Sequence, residues 1–293
     1  MLMRGRHLVT GYTWSEGAVL VYVRQRGRMA STPCELTGRV CFRITDERRC
    51  VGFYGEDGLE GCPDGRRLSS GSQCPSCVGR DRFRACMICD GSRCPPGPSD
   101  LRARCDAPHI LYLACFGDET IKVGTAALHR RRARVVEQGP LAAVRIARAD
   151  GPSIKRMERL LSKDEFVEVM RRAKKTELLG SRMTEEEART LVLDAASRVP
   201  SILPPEYQHF LHPPEIVEPP AYARASRGRS VRELPVQAGT VIEGSVVGAV
   251  GHVLFVEDET GCFALDLGAL KARVLDFEPQ GPKKRPVVQL GLF

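Results

Sequence analysis

Two short stretches of this sequence have the residue types and spacing of metal chemistry. "CPSCVGR" at 74–80 and "CMICDGSR" at 86–93 share one plan: Cys-x-x-Cys, then one residue, then Gly. In a zinc knuckle two thiolates grip one ion while N–H groups of the turn point at the sulfurs, and Gly supplies the positive φ such a turn needs. The simplest site joins Cys74, Cys77, Cys86 and Cys89 around one structural zinc. In a two-site alternative, Cys50 and Cys62 complete a set with Cys74 and Cys77, and Cys86 and Cys89 take two of Cys94, Cys105 and His109. A redox-active pair or buried unliganded thiols are the readings without metal. Eleven of the twelve cysteines lie between Cys34 and Cys115, and clustered thiols without an evident secretion signal bind metal more often than they form disulfides. A site made only of thiolates is closed and structural, with no open position for a substrate. Cys34, Cys41, Cys115 and Cys262 sit in apolar strand patterns and are expected to be buried.

A second constellation runs through 109–134, "HILYLACFGDETIKVGTAALHRRRAR". It opens as an apolar strand, turns at "FGDET", returns as a strand ending in Gly124, and enters a segment bearing Arg130, Arg131, Arg132 and Arg134 with no acid. The net charge of +8 favours an anionic partner. Placing these arginines behind Lys122 and a strand-end Gly presents them to phosphate, so DNA or RNA is the expected partner.

Strand, turn, strand ending in Gly, Arg-bearing segment and then a helix with a Glu is an order that resembles the GIY-YIG nuclease superfamily. "ILY" at 110–112 stands where that family has Gly-Ile-Tyr, and "KVG" at 122–124 where it has Tyr-Ile-Gly. Arg132 or Arg134 falls near the family's helical arginine, and Glu158 in "IKRMERLL" matches its metal-binding glutamate. A narrower resemblance lies in "KVG", then "RVVEQGP", then the Glu helix behind a Cys-x-x-Cys-rich segment. It is similar to a bacterial family of unknown function, common in actinobacteria, described as zinc-binding with a GIY-YIG-like core. The resemblance covers roughly residues 40 to 180.

The nuclease resemblance implies metal-dependent phosphodiester hydrolysis. Glu158 would hold Mg²⁺ or Mn²⁺, Arg132 or Arg134 would neutralise charge on the phosphate, and Tyr112 would orient or deprotonate the attacking water with Lys122 or an arginine lowering its pKa. Two positions depart from the pattern: Ile110 replaces the first Gly and Lys122 the second Tyr. Lys122 cannot act as a phenol but can contact phosphate as a point charge, and His129 is a substitute base in an unusual place. The plainer readings are Tyr112 as a core residue, Glu158 as an ion-pair partner of Lys155, Arg156 and Arg159, and the arginines as a solvated face.

These groups need elements to hold them. Residues 1–60 carry short alternating pieces, "AVLVYV", "GRVCFRI" and "CVGFY", that predict antiparallel strands. Residues 61–109 form a Cys-rich segment with little apolar periodicity, which metal would staple. Residues 110–199 form the GIY-YIG-like core: two strands, a third at "PLAAVRIARA", a helix from Ser153 to about Leu179 stopped by Gly180, and a helix from Thr184, with a capping box to Glu187, ended by Pro200. Residues 200–235 are a Pro-rich linker and 236–293 a small C-terminal β domain; either suits a protein partner. The fold class is therefore α+β, a small mixed or antiparallel sheet with flanking helices between two β-rich segments. With no leader-like apolar run after "MLMRGRH" and no stretch near the roughly 20 residues of a membrane span, a cytoplasmic protein without membrane contact is expected. Alternatives to a nucleic-acid-binding endonuclease are an enzyme of a specialised metabolic pathway, acting on a small molecule or a nucleotide or aminoacyl substrate, and a non-catalytic interaction module.

Overall fold

The structure is a computed structural model and describes residues 4–15, 18–25, 28–87, 89, 91–92, 99–219 and 231–277. The fold is α+β, and the chain divides into two compact units, residues 1–82 with 229–293, and residues 83–228.

The first unit is built on one nine-stranded sheet. Its N-terminal strands are β1 (Gly5–Ser15), β2 (Ala18–Gln25), β3 (Thr32–Leu36) and β4 (Arg39–Arg48). Its C-terminal strands are β11 (Val231–Glu233), β12 (Val241–Val250), β13 (Val253–Asp258), β14 (Gly261–Asp266) and β15 (Arg273–Phe277). The order β11-β14-β13-β12-β4-β15-β1-β2-β3 places β4 between two strands from the far end of the chain. The two β-rich segments, expected as separate regions, are therefore parts of one sheet. Their alternating apolar residues are the reason: Val40, Phe42 and Ile44 of β4 are buried together with Ile242 of β12 and Leu275 and Phe277 of β15. Phe42 pairs directly with Phe277 across the strands, with ring centroids 5.5 Å apart. Such aromatic cross-strand pairs fix register.

A short hairpin, β5 (Phe53–Tyr54) with β6 (Leu59–Glu60), and a helix, α1 (Pro75–Arg80), extend from the end of β4. The Cys-rich segment accordingly has little regular structure in this unit.

The second unit holds a four-stranded sheet of order β10-β9-β7-β8. Its chain runs α2 (Arg84–Met87), α3 (Ser99–Asp106), β7 (Pro108–Cys115), β8 (Ile121–Ala127), α4 (Ala133–Gln138), β9 (Ala142–Asp150), α5 (Gly151–Asp164), α6 (Arg172–Glu177), α7 (Glu185–Ile202), α8 (Pro205–Gln208) and β10 (Leu211–Ile216). The hairpin β7–β8 is antiparallel, as is β7 with β9. One face packs Leu111, Leu113, Val123 and Val144 on Ile154, Met157 and Leu161 of α5 and on Val192 and Val199 of α7. The other packs Ile110, Tyr112 and Ala114 on Val135 of α4 and on Leu178. Burying each such aliphatic side chain contributes about 1.5–3 kcal/mol.

Three expectations change here. The Ser153 helix ends at Asp164 rather than near Leu179, because Phe166 turns into the core and Val167 bridges β8. The Val167 N–H donates to the Ile121 carbonyl at 3.0 Å, and the Val123 N–H to the Val167 carbonyl at 3.0 Å. Pro200 does not end α7; it sits in the last turn of a helix that runs to Ile202. The Pro-rich linker is structured in its first part: "LHPPEI" is β10, an edge strand on β9, where the missing N–H groups of proline are tolerated. The capping box of Thr184 and Glu187 is present.

Candidate functional site

Four thiols meet in the first unit. Cys50 follows β4, Cys62 follows β6, and Cys74 and Cys77 lie at the start of α1. All four are buried, and their sulfurs lie within 4.8 Å of one another. A tetrahedral zinc with Zn–S bonds near 2.3 Å sets its sulfurs about 3.8 Å apart. The Cys62 and Cys74 sulfurs are 3.9 Å apart. The residues fit the ion, and the group could bind a metal such as zinc. Backbone N–H groups of Gly52 and Cys74 donate to the Cys50 sulfur at 3.4 and 3.2 Å. Gly52 is required: its φ is +99°, and a Cβ there would lie 1.7 Å from the Glu60 carbonyl oxygen. The set is the first half of the two-site arrangement. The simplest arrangement, which added Cys86 and Cys89 to Cys74 and Cys77, is not the one brought together.

Four thiols in one buried pocket cannot all ionise unaided. Burial pushes Cys50 and Cys77 up. At Cys74 burial also works upward, but hydrogen bonds from its neighbours outweigh it and bring the thiol down to about 7. A divalent cation would remove that conflict, and four thiolates on Zn²⁺ would leave two negative charges inside the protein. Arg24 of β2 faces this charge. It is 5% exposed, donates to the Val51 carbonyl at 2.8 Å and the Ser31 hydroxyl at 3.1 Å, and interacts electrostatically with Cys50 and Cys62. No motif surrounds Arg24 in the sequence, and only the pairing of strands brings it there.

Cys34 and Cys41 are half-buried rather than buried, whereas Cys115 and Cys262 are buried as expected. Cys86, Cys89 and Cys105 are half-buried in the second unit, with His109 on β7; Cys94 lies outside the described residues.

The second constellation gathers on the hairpin of the second unit. Tyr112 pairs with Gly124, and Lys122 with Ala114, so all four share one sheet face. A Cβ on Gly124 would lie 2.5 Å from the Tyr112 hydroxyl, so the close approach that Gly permits is to the phenol itself. Opposite Tyr112 the β7–β9 register slips, from Leu111↔Ala147 to Tyr112↔Arg145, an irregularity of the kind that re-aims side chains.

Tyr112 is 1% exposed. Burial pushes its pKa up to about 12 even though Arg134 works against it, so the phenol stays protonated and is a donor, not a base. Lys122 is buried, its ammonium held by the carbonyls of Val123 at 2.8 Å and Glu168 at 2.6 Å. Burial lowers it to about 8 against the pull of Glu158. Glu158 is also buried rather than solvated; desolvation raises its pKa, opposed by Lys155, 3.6 Å away, and Lys122. Lys175 of α6 joins the group: burial, then Lys122 and Arg134, lower it to about 7. It sits 4.6 Å above the Phe116 ring and donates to Gln138 at 2.6 Å.

The arginines divide. Arg134, on α4, acts electrostatically on Tyr112, Lys122 and Lys175. Arg130 is bound by Glu137 at 2.6 Å, Arg131 donates to the Leu128 carbonyl, and Arg132 is exposed at the N-cap of α4. His129 is exposed on the 3-10 turn Leu128–Arg130. Lys175 was hidden from sequence reasoning because "RRAKKTELLG" reads as the tail of a continuous helix.

Residues 38–271 match the model of a family described as "Protein of unknown function (DUF2797)". The chain belongs to this family. The matched span holds the four clustered cysteines and all of the basic group, whereas Arg24 precedes it. No curated protein matches the chain, and no solved structure does. Among the described residues no helix is long and apolar enough to cross a membrane.

Proposed function

We propose that the second unit is a GIY-YIG-like core that binds the phosphodiester backbone of DNA or RNA and hydrolyses it when Glu158 holds Mg²⁺ or Mn²⁺, while the first unit carries a structural zinc on Cys50, Cys62, Cys74 and Cys77. One observation carries this reading: a buried carboxyl, Glu158, lies within electrostatic reach of Tyr112 and Lys122, and both of these of Arg134. The chain order β7–β8–α4–β9–α5 supports it.

In this reading Lys122 and Lys175 offset phosphate charge, Arg134 meets the scissile group from the open side, and Tyr112 donates a hydrogen bond. The cation on Glu158 would polarise the phosphate and activate water when bound. A protonated Tyr112 is not the base, so the attacking water would lose its proton to bulk solvent.

The enclosure of Lys122 and Tyr112 favours a second reading, an enzyme acting on a small phosphorylated, nucleotide or aminoacyl substrate. A duplex meets such groups only through its backbone, whereas a small ligand can be surrounded.

The test incubates zinc-loaded protein with duplex DNA, single-stranded DNA and RNA in Mg²⁺ or Mn²⁺, beside Glu158→Ala. Cleavage lost in the variant upholds the proposal. Binding that weakens steeply with salt but never leads to cleavage removes hydrolysis and keeps the nucleic-acid partner. Neither binding nor cleavage removes both and leaves the small-substrate enzyme.

A further inference from the structure

The second Cys-x-x-Cys knuckle has no part in the four-thiol cluster, yet its local geometry repeats that cluster's own. In the first unit, Gly52 has φ +99° and its N–H donates to the Cys50 sulfur at 3.4 Å. In the second unit, Gly91 has φ +81° and its N–H donates to the Cys89 sulfur at 3.4 Å. A backbone N–H turned onto a sulfur two residues earlier stabilises negative charge there, which a neutral thiol does not require.

This knuckle is seated on the first turn of α5. A Cβ on Gly91 would lie 2.5 Å from the Pro152 carbonyl oxygen, and Arg156 donates to the Gly91 carbonyl at 2.9 Å. One residue before Pro152, Gly151 is equally crowded: a Cβ there would lie 2.4 Å from the Cys105 carbonyl oxygen and 3.2 Å from both the Cys105 sulfur and His109 Cε1. Two glycines, one at the knuckle and one on the helix, thus let the chain beside Cys89 and the chain at Cys105 each close on the first turn of α5.

His109 is set for the same purpose. Its Nδ1 lies 2.8 Å from the Ala107 carbonyl. A carbonyl only accepts, so Nδ1 carries the hydrogen and, in the neutral ring, Nε2 carries the lone pair. A backbone carbonyl on one nitrogen is the usual partner of a histidine that gives the other to a metal.

We infer that Cys86, Cys89 and Cys105, with Nε2 of His109, form a second zinc site that pins the second knuckle and α3 to the start of α5. Among the described residues these four donors are not gathered within the 4.8 Å of the first cluster, so binding requires them to draw together on the ion. Three thiolates and an imidazole would leave a single negative charge, and Lys155 and Arg156 stand on the adjoining turn to receive it.

The experiment measures bound zinc on full-length protein after exhaustive dialysis, then replaces zinc with Co²⁺ and follows thiolate-to-cobalt charge transfer, which a carboxylate-bound ion at Glu158 does not give. Two thiolate-bound ions per chain are expected. Cys86→Ser/Cys89→Ser and Cys105→Ser should each fall to one, and Cys62→Ser/Cys74→Ser should keep the second ion while losing the first. His109→Ala should weaken the second ion at least tenfold and shift the cobalt d–d bands. Circular dichroism of each variant separates loss of metal from loss of fold. One ion per chain in the wild type, or two in Cys86→Ser/Cys89→Ser, overturns the inference. Loss in both cysteine variants with none in His109→Ala overturns the role of His109 alone.

Discussion

Single residues decide the chemistry of both sites. Arg24 is the clearest case, because a buried guanidinium beside the four cysteines would balance the negative charge they carry on a metal. Arg24→Met should weaken zinc binding by about 10- to 100-fold, and Arg24→Lys should recover part of the loss, read by competition with a chromophoric chelator. Lys122 and Lys175 make the basic group sensitive to pH. Each must be protonated to hold an anion, and they lose protons near 8 and 7. Oligonucleotide affinity, measured by fluorescence anisotropy at fixed salt, should fall as pH rises through that range. Their effect on stability runs the other way. From about pH 8 to 10.5 an unfolded Lys122 holds a proton that the folded one has released, so the cost of burying its charge is full below that window, is relieved as pH rises through it and is gone above it.

At the scale of elements, the hairpin β7–β8 is organised around the stacking of Tyr112 over Gly124. Gly124→Ala places a methyl group 2.5 Å from the phenol and should cost about 1–3 kcal/mol in denaturant unfolding. Tyr112→Ala combined with Gly124→Ala should cost less than the sum of the two. The hairpin, its "FGDET" turn and the strand at 142–150 are legible in the sequence because apolar alternation and turn residues are local signals. The end of α5 is not legible. "LLSKDEFVEVMRRAKKTELLG" keeps enough helical spacing to look continuous, and only the demand of β8 for a partner draws Val167 out of it. "LHPPEI" misleads in the opposite sense, since prolines argue against a strand until the strand proves to be an edge.

For the whole molecule, the largest departure from the sequence reading is the shared sheet of residues 5–48 and 231–277. No local pattern says which distant strand will pair with which, so two β-rich ends look like two regions. The cysteine sites divide along the same line. Cys50 and Cys62 could be offered only as alternative ligands, because neither belongs to a Cys-x-x-Cys pair. Deleting residues 236–293 should therefore unfold the first unit rather than trim a domain, with loss of the near-ultraviolet signal of Trp14. A fragment of residues 83–219 retains its complete four-stranded sheet and should give a dispersed amide spectrum. Chelation should lower the melting temperature of the full chain and abolish amide protection around residues 50–77 first, because those residues have Cys50, Phe53, Cys62, Cys74 and Cys77 as their core.

The position of β4 between β12 and β15 also sets an order of events during synthesis. Both neighbours of β4, at Val241–Val250 and Arg273–Phe277, leave the ribosome long after it, so its two edges stay open while the intervening chain emerges, and open edges invite aggregation. The four thiols, by contrast, all lie within residues 50–77 and emerge early. Metal captured by the nascent chain would tie down the segment just beyond β4 long before its partner strands exist. Cells starved of zinc should therefore accumulate this chain in inclusion bodies, even though the mature protein, once closed, would release its ion only slowly.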